Sequence, residues 1–256
     1  MIRTLRTLRT LRSLLCLAVL ATALPAGATG LTVSAASSLT ESFRDIASAY
    51  ESAHPGTKVD LNFAASGVLL QQVARGAPVD VLATADTATM DQAAQQKLLA
   101  ADTRQLFASN QLVVVVPKDA RNAPTSLAAL GGAGVQRVAI GNPDSVPVGR
   151  YARTALQDAG LWEAMGARTI STQNVRQSLD YVARGEVDAG FVYSSDVKAG
   201  GDRVRQAFAV PLKTPITYPL AVIKDSANAA EAKRFVAFVR SPQGLAILKK
   251  HGFGAP

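Results

Sequence analysis

The stretch Leu31-Thr32-Val33-Ser34-Ala35-Ala36-Ser37-Ser38-Leu39-Thr40-Glu41-Ser42-Phe43 decides the fold. Residues 31–36 form an apolar, small-residue run that reads as a strand. From Ser38 the pattern turns helical, with Phe43, Ile46, Ala47 and Tyr50 on one face of a helix reaching His54. The S-x-x-E spacing of Ser38 and Glu41 predicts a capping box at its start. A strand feeding directly into a helix is half of a β-α-β unit, and the following residues complete it. Residues 58–64 read as a strand, 66–75 as a helix, 79–85 as a strand and 87–99 as a helix. Repeated β-α-β implies a parallel sheet covered by helices.

The alternation then begins again. Gln111 to Pro117, QLVVVVP, reads as a buried strand. Strands at 137–140, 168–171 and 189–193 alternate with helices at 148–159 and 174–184. Short strands near 205–210 and 216–222 precede a helical region over 229–250. That region breaks at Ser241-Pro242, where Ser caps and Pro opens a new helix. Two α/β units joined near residues 111–116 and 218–223 predict two lobes around a hinged cleft, a natural ligand site.

The first 28 residues stand apart. Arg3, Arg6, Arg9 and Arg12 precede an apolar run from Leu14 to Leu24, and Pro25-Ala26-Gly27-Ala28 supplies small residues at its end. This is the pattern of a secretory signal peptide over residues 1–28, cut after Ala28. Cys16 lies inside the apolar run and follows Leu14 and Leu15, which does not suit a lipid anchor. The whole chain carries 27 Lys and Arg against 19 Asp and Glu; without the four signal arginines the balance is 23 against 19, about +4. Cys16 is the only cysteine, so cleavage leaves no disulfide, thiol nucleophile or cysteine metal site. His54 and His251 both stand at expected helix ends, where the helix dipole favours a cation, and supply no basis for a histidine metal site or a Ser-His-Asp triad. The bases are scattered without interleaved aromatics, which argues against nucleic-acid binding.

No phosphate-loop, dinucleotide, nucleophile-elbow or zincin motif occurs. What recurs is a strand ending in small residues, then a hydroxyl or small residue that opens a helix. Ser37-Ser38, Ala65-Ser66-Gly67, Val146-Pro147-Val148-Gly149 and Asn174-Val175 are the four cases. Helix starts present free N–H groups and a positive dipole end, so they suit anions. By themselves they more readily serve ordinary capping, which every helix needs. Tyr193, within FVYSSD, reads by itself as a core aromatic.

These segments, taken in order, resemble the periplasmic molybdate-binding proteins of ABC uptake systems. The resemblance is carried by LTVSAASSLTESF (31–43), NFAASGVLLQQVARGAPVDVLATAD (62–86), QLVVVVPK (111–118), VAIGNPDSVPVGRYARTAL (138–156), QNVRQSLDYVARGEVDAGFVYSSD (173–196) and TYPLAVI (217–223). It implies an α/β, two-lobe type II periplasmic binding protein fold, each lobe a mostly parallel sheet flanked by helices, with two crossover strands as hinge. The corresponding boundaries are 29–112 and 217–256 for the first lobe and 113–216 for the second.

The resemblance also implies a site. Ser38 and Ser66 would offer hydroxyl and backbone N–H, Val148 and Val175 backbone N–H only, and Tyr193 its phenol. The ligand would be molybdate or tungstate, so molybdenum would be bound only as its oxyanion and no cofactor is needed. A membrane permease would be the partner of a monomeric, periplasmic receptor that is not an enzyme. Val148 stands where the family commonly has the smaller Ala. Donors without acceptors disfavour a protonated oxyanion, so phosphate should be rejected, whereas sulfate, a full dianion, is excludable only by cavity size. A receptor for sulfate or an organic acid, and a secreted hydrolase, are the competing readings. Arg150 and Arg176 lie close to two of the helix openings and are expected to face solvent.

Overall fold

The computed structural model describes residues 29–256; the signal peptide expected over 1–28 lies outside them. β1 (Thr29–Ala36) leads through a 3-10 turn (Ser37–Leu39) into α1 (Thr40–Ala53). Next come β2 (Thr57–Ala64), α2 (Ser66–Ala74), β3 (Val81–Ala83), α3 (Thr87–Gln95) and β4 (Gln105–Asn110). Then follow β5 (Leu112–Pro117), β6 (Val138–Gly141), α4 (Pro147–Asp158), a short α5 (Trp162–Met165), β7 (Thr169–Thr172), α6 (Val175–Ala183), β8 (Ala189–Tyr193), α7 (Ser194–Gly200) and β9 (Val204–Ala209). β10 (Ile216–Val222), α8 (Ala229–Val239) and α9 (Pro242–Lys250) complete the described chain. Among the described residues no helix is long and apolar enough to cross a membrane.

The strands form two five-stranded sheets, β2-β1-β3-β10-β4 and β7-β6-β8-β5-β9. In each, four strands run one way and one runs against both its neighbours: β10 in the first sheet, β5 in the second. The sheets are therefore mixed rather than simply parallel, for a topological reason. Each reversed strand is the one on which the chain arrives from the other sheet. Only Gln111 separates β4 from β5, and residues 210–215 carry the chain back from β9 to β10. The sequence pattern missed β4, whose QLFASN run is polar at both ends.

The faces of α1 follow the periodicity. Phe43, Ile46 and Tyr50 are fully buried. Phe43 meets Phe107 of β4 with ring centroids 5.7 Å apart, and Tyr50 meets Phe235 of α8 edge-on at 5.2 Å. The C-terminal helices thus pack on the first sheet, not the second. The two histidines close helices: His54 stacks on Tyr50 at 4.0 Å after α1, and His251, after α9, places Nε2 2.9 Å from Asp45 Oδ2.

The second lobe depends on a close approach of α4 to the end of β6. A Cβ on Gly149 would lie 1.8 Å from the carbonyl oxygen of Gly141. Gly149→Ala must displace the helix start, at about 1–3 kcal/mol for an overpacked site. The expected result is a melting temperature lowered by roughly 2–12 °C, read by thermal unfolding monitored by circular dichroism.

Candidate functional site

Ser38, Ser66, Val148, Val175 and Tyr193 line one small cavity between the two sheets. None of the five is more than 3% exposed. Each sits where a strand gives way to a helix: Ser38 after β1, Ser66 after β2, Val148 after β6, Val175 after β7 and Tyr193 at the end of β8. Ligands of open α/β sheets bind at this carboxyl edge.

The backbone supplies the first donors. Ser66 and Val175 are the first residues of α2 and α6, and Val148 is the second of α4, behind Pro147. N–H groups in a first helical turn lack an intrahelical acceptor and stand at the positive end of the dipole. Asn174 caps α6 through Gln177 N–H, 3.0 Å from its Oδ1, a bond that does not involve Val175 N–H. Ser38 lies in the 3-10 turn before α1.

The hydroxyls come next. A hydroxyl has one hydrogen and can also accept. Ser66 Oγ accepts the N–H of Ala85 at 3.0 Å, so its hydrogen is available to the cavity. Tyr193 Oη is buried with no hydrogen-bond partner. Burial, reinforced by the neighbouring Tyr218, pushes the Tyr193 phenol well above its ordinary range, so it keeps its proton. An orphaned buried donor costs about 1–3 kcal/mol, a penalty that an acceptor in the cavity removes. Ser38 Oγ stands 3.1 Å from Tyr218 Oη.

Two sequence expectations are corrected. Ser38 and Glu41 do not form a capping box, because α1 starts at Thr40 with no side-chain cap, and Glu41 pairs with Arg176. Arg150 and Arg176 do not face solvent; their side chains are 23% and 20% exposed and reach the opposite lobe. Arg150 donates to Asp86 Oδ2 from Nε at 2.9 Å and Nη2 at 2.7 Å, and to Thr89 Oγ1 at 2.7 Å. Arg176 donates to the Ser37 carbonyl at 3.1 Å and the Ser38 carbonyl at 3.3 Å as well as to Glu41. These partners lie far away in sequence, which hid them. The Gly67 N–H adds a direct tie between lobes, donating to the Ser145 carbonyl at 3.0 Å. The lobes are closed.

Neither arginine lines the cavity, and no Asp, Glu, Lys, Arg or His does. Among the described residues no cluster of three His, Cys, Asp or Glu could hold a metal ion. The cavity offers a small anion neutral donors and dipole ends, with charge confined to its rim. Tyr218 and Asn110, which back the site, were not singled out by the sequence; the strand that carries Asn110 was itself missed.

The family model for bacterial extracellular solute-binding proteins matches residues 31–254. The chain belongs to this family. Its members are transport receptors, not enzymes. The chain is 37% identical to the molybdate-binding protein ModA of Escherichia coli (strain K12) over 233 residues, 87% of this chain and 88% of that one. The Azotobacter vinelandii periplasmic molybdate-binding protein shares the fold, with a TM-score of 0.80 at 24% identity over 88% of this chain and 99% of that one. So does the sulfate-binding protein SubI of Mycobacterium tuberculosis H37Rv, with a TM-score of 0.78 at 17% identity over 88% of this chain and 86% of that one. Since molybdate- and sulfate-binding proteins share this architecture, the fold alone does not name the ion.

Asp196, behind Tyr193, is a titratable neighbour of the site. Burial pushes its carboxyl up to about 6, opposed by Arg176 and by the Tyr193 N–H that its Oδ2 accepts at 3.0 Å. The folded state therefore holds this proton more tightly than the unfolded state, whose reference value is 3.8. The group's contribution to stability falls as pH rises through that window and is flat above it. Urea unfolding at pH 4.5 and 7 should show the parent losing stability relative to Asp196→Asn as pH rises, by about 2 kcal/mol. A pH-independent difference would mean that Asp196 does not titrate in that window.

Proposed function

We propose that this protein is the receptor of a molybdate and tungstate uptake system. It takes the oxyanion between its lobes and presents it to the membrane permease of an ABC transporter. The observation that carries this reading is one cavity lined by Ser38, Ser66, Val148, Val175 and Tyr193, with no charged residue in its lining; their backbone N–H groups and hydroxyls are the donors we assign to the ion. Charge-assisted hydrogen bonds to an anion are about twice as strong as neutral ones. Several aimed together stabilise a dianion without a countercharge. The relatives named for molybdate support the choice of ion. Export by the segment 1–28, action as a monomer in the periplasm, and closure of lobe 29–112 with 217–256 against lobe 113–216 complete the reading.

A lining of N–H and O–H groups with no carboxylate offers few acceptors for the hydrogen of a protonated oxyanion, and leaving that group unpaired costs about 1–3 kcal/mol. Phosphate at neutral pH carries such a hydrogen; molybdate and tungstate do not. Calorimetric titration of the mature protein with molybdate, tungstate, sulfate and phosphate tests the proposal. Tight binding of the first two with phosphate silent is expected, and a folded, ligand-free protein that gives no heat with molybdate would overturn it. Sulfate binding as tightly as molybdate would make this a general dianion receptor.

Two variants probe the geometry. Tyr193→Phe removes one donor and should weaken molybdate binding by about 1.5–3 kcal/mol, roughly 10- to 150-fold, with no loss of thermal stability in the ligand-free protein. A lowered melting temperature with unchanged affinity would make Tyr193 a structural residue. A Cβ on Gly67 would lie 2.7 Å from the Ser145 carbonyl oxygen and 2.9 Å from its Cα. Gly67→Ala should therefore hold the lobes apart, weakening molybdate binding by about 1–3 kcal/mol, with the radius of gyration in excess molybdate larger than the parent's.

A further inference from the structure

We propose that Asn110 and Tyr218, neither of which lines the cavity, bias the Ser38 hydroxyl toward donating into the cavity and thereby help exclude protonated oxyanions. The inference rests on the oxyanion reading of the cavity given above. Asn110 is the last residue of β4, at the first crossing between sheets. Its Oδ1 accepts the Gln111 N–H at 2.9 Å and the Ser194 hydroxyl at 2.8 Å. A backbone N–H can only donate, so the amide cannot be turned the other way, and Nδ2 is committed to the opposite side. There it stands 2.9 Å from Ser195 Oγ and 3.3 Å from Tyr218 Oη.

An amide NH2 has no acceptor capacity. In its contact with Asn110, Tyr218 Oη must therefore accept. The one phenolic hydrogen is left for Ser38 Oγ, at 3.1 Å. Tyr218 is fully buried, and its ring meets those of Phe107, Tyr193 and Phe253 at 6.2, 5.8 and 5.4 Å, so it cannot swing to another partner. Burial also keeps the phenol protonated by raising its pKa. Ser38 Oγ, having accepted from Tyr218, does not spend its own hydrogen on the phenol and keeps it for the cavity. The result is a one-way chain from Asn110 through Tyr218 and Ser38 to the anion, each bond polarising the next.

A free serine hydroxyl can accept as readily as it donates. Without Tyr218, Ser38 could turn and take the hydrogen of a protonated oxyanion. The chain also spans the lobes, because Asn110 and Tyr218 belong to the first sheet while Ser194 and Ser195 open α7 beside the second.

Tyr218→Phe tests this directly, since it keeps the ring and leaves Asn110 Nδ2 bonded to Ser195. Molybdate affinity would be measured by calorimetry for the parent, Tyr218→Phe, Ser38→Ala and the double variant, with phosphate as competitor at pH 7 and thermal melts as a check on folding. Tyr218→Phe should weaken molybdate by about tenfold and make phosphate a measurably better competitor than it is against the parent. On the Ser38→Ala background the same change should have less than about a twofold effect, because its target is gone. An equal loss on both backgrounds, no loss on either, or phosphate competing no better against Tyr218→Phe would overturn the inference while leaving the receptor reading intact. A parent protein that binds no molybdate would overturn both.

Discussion

On the proposed reading, hydrogen bonds from uncharged donors to a buried anion are the interaction around which this structure is arranged. A charge withdrawn from water with no countercharge must be met by dipoles that are already aimed and cannot turn away. Backbone N–H groups at helix starts meet that demand because the helix holds their direction. The fold brings four such groups together by ending β1, β2, β6 and β7 at one edge and opening α1, α2, α4 and α6 there. Two of the hydroxyls are constrained as well, Ser66 by the Ala85 N–H and Ser38 by Tyr218, while Tyr193 Oη has no protein partner to compete for it.

Closure uses a different kind of chemistry. The ion pairs of Arg150 with Asp86 and of Arg176 with Glu41 lie at the rim, on either side of the cavity, and each spans the lobes. The partly exposed Arg176–Glu41 pair contributes modestly and weakens in salt, whereas the buried Asp86 carboxylate leaves its pair with Arg150 less screened. Full charges at the rim and neutral donors inside separate holding the lobes together from recognising the ion. An arginine within the cavity would bind anions of any protonation state, and the discrimination would be lost.

Much of the architecture was legible because its signals are local. The strand-to-helix change at Ser37-Ser38, the amphipathic face of α1 and the valine run of β5 are each contained within a dozen residues. β4 was missed because Gln105, Ser109 and Asn110 dilute its apolar middle, and the polar Asn110 is the last residue of a strand at the first crossing between the sheets. Ser38 and Glu41 have the spacing of a capping box, yet Ser38 bonds to Tyr218, 180 residues away, and Glu41 to Arg176, 135 residues away. Local competition for those groups was lost to tertiary partners that no window of sequence contains. The helix-start pattern alone favoured ordinary capping over anion binding. The resemblance selected five residues, and the structure places those five around one cavity.

The most direct test of the central claim is a crystal structure of the mature protein with molybdate bound. The account predicts an oxyanion in the cavity whose oxygens accept only from the N–H groups of Ser38, Ser66, Val148 and Val175 and the hydroxyls of Ser38, Ser66 and Tyr193, with Arg150 and Arg176 still paired across the rim. An arginine or lysine side chain drawn into contact with the ion, or molybdate bound elsewhere on the protein, would contradict it.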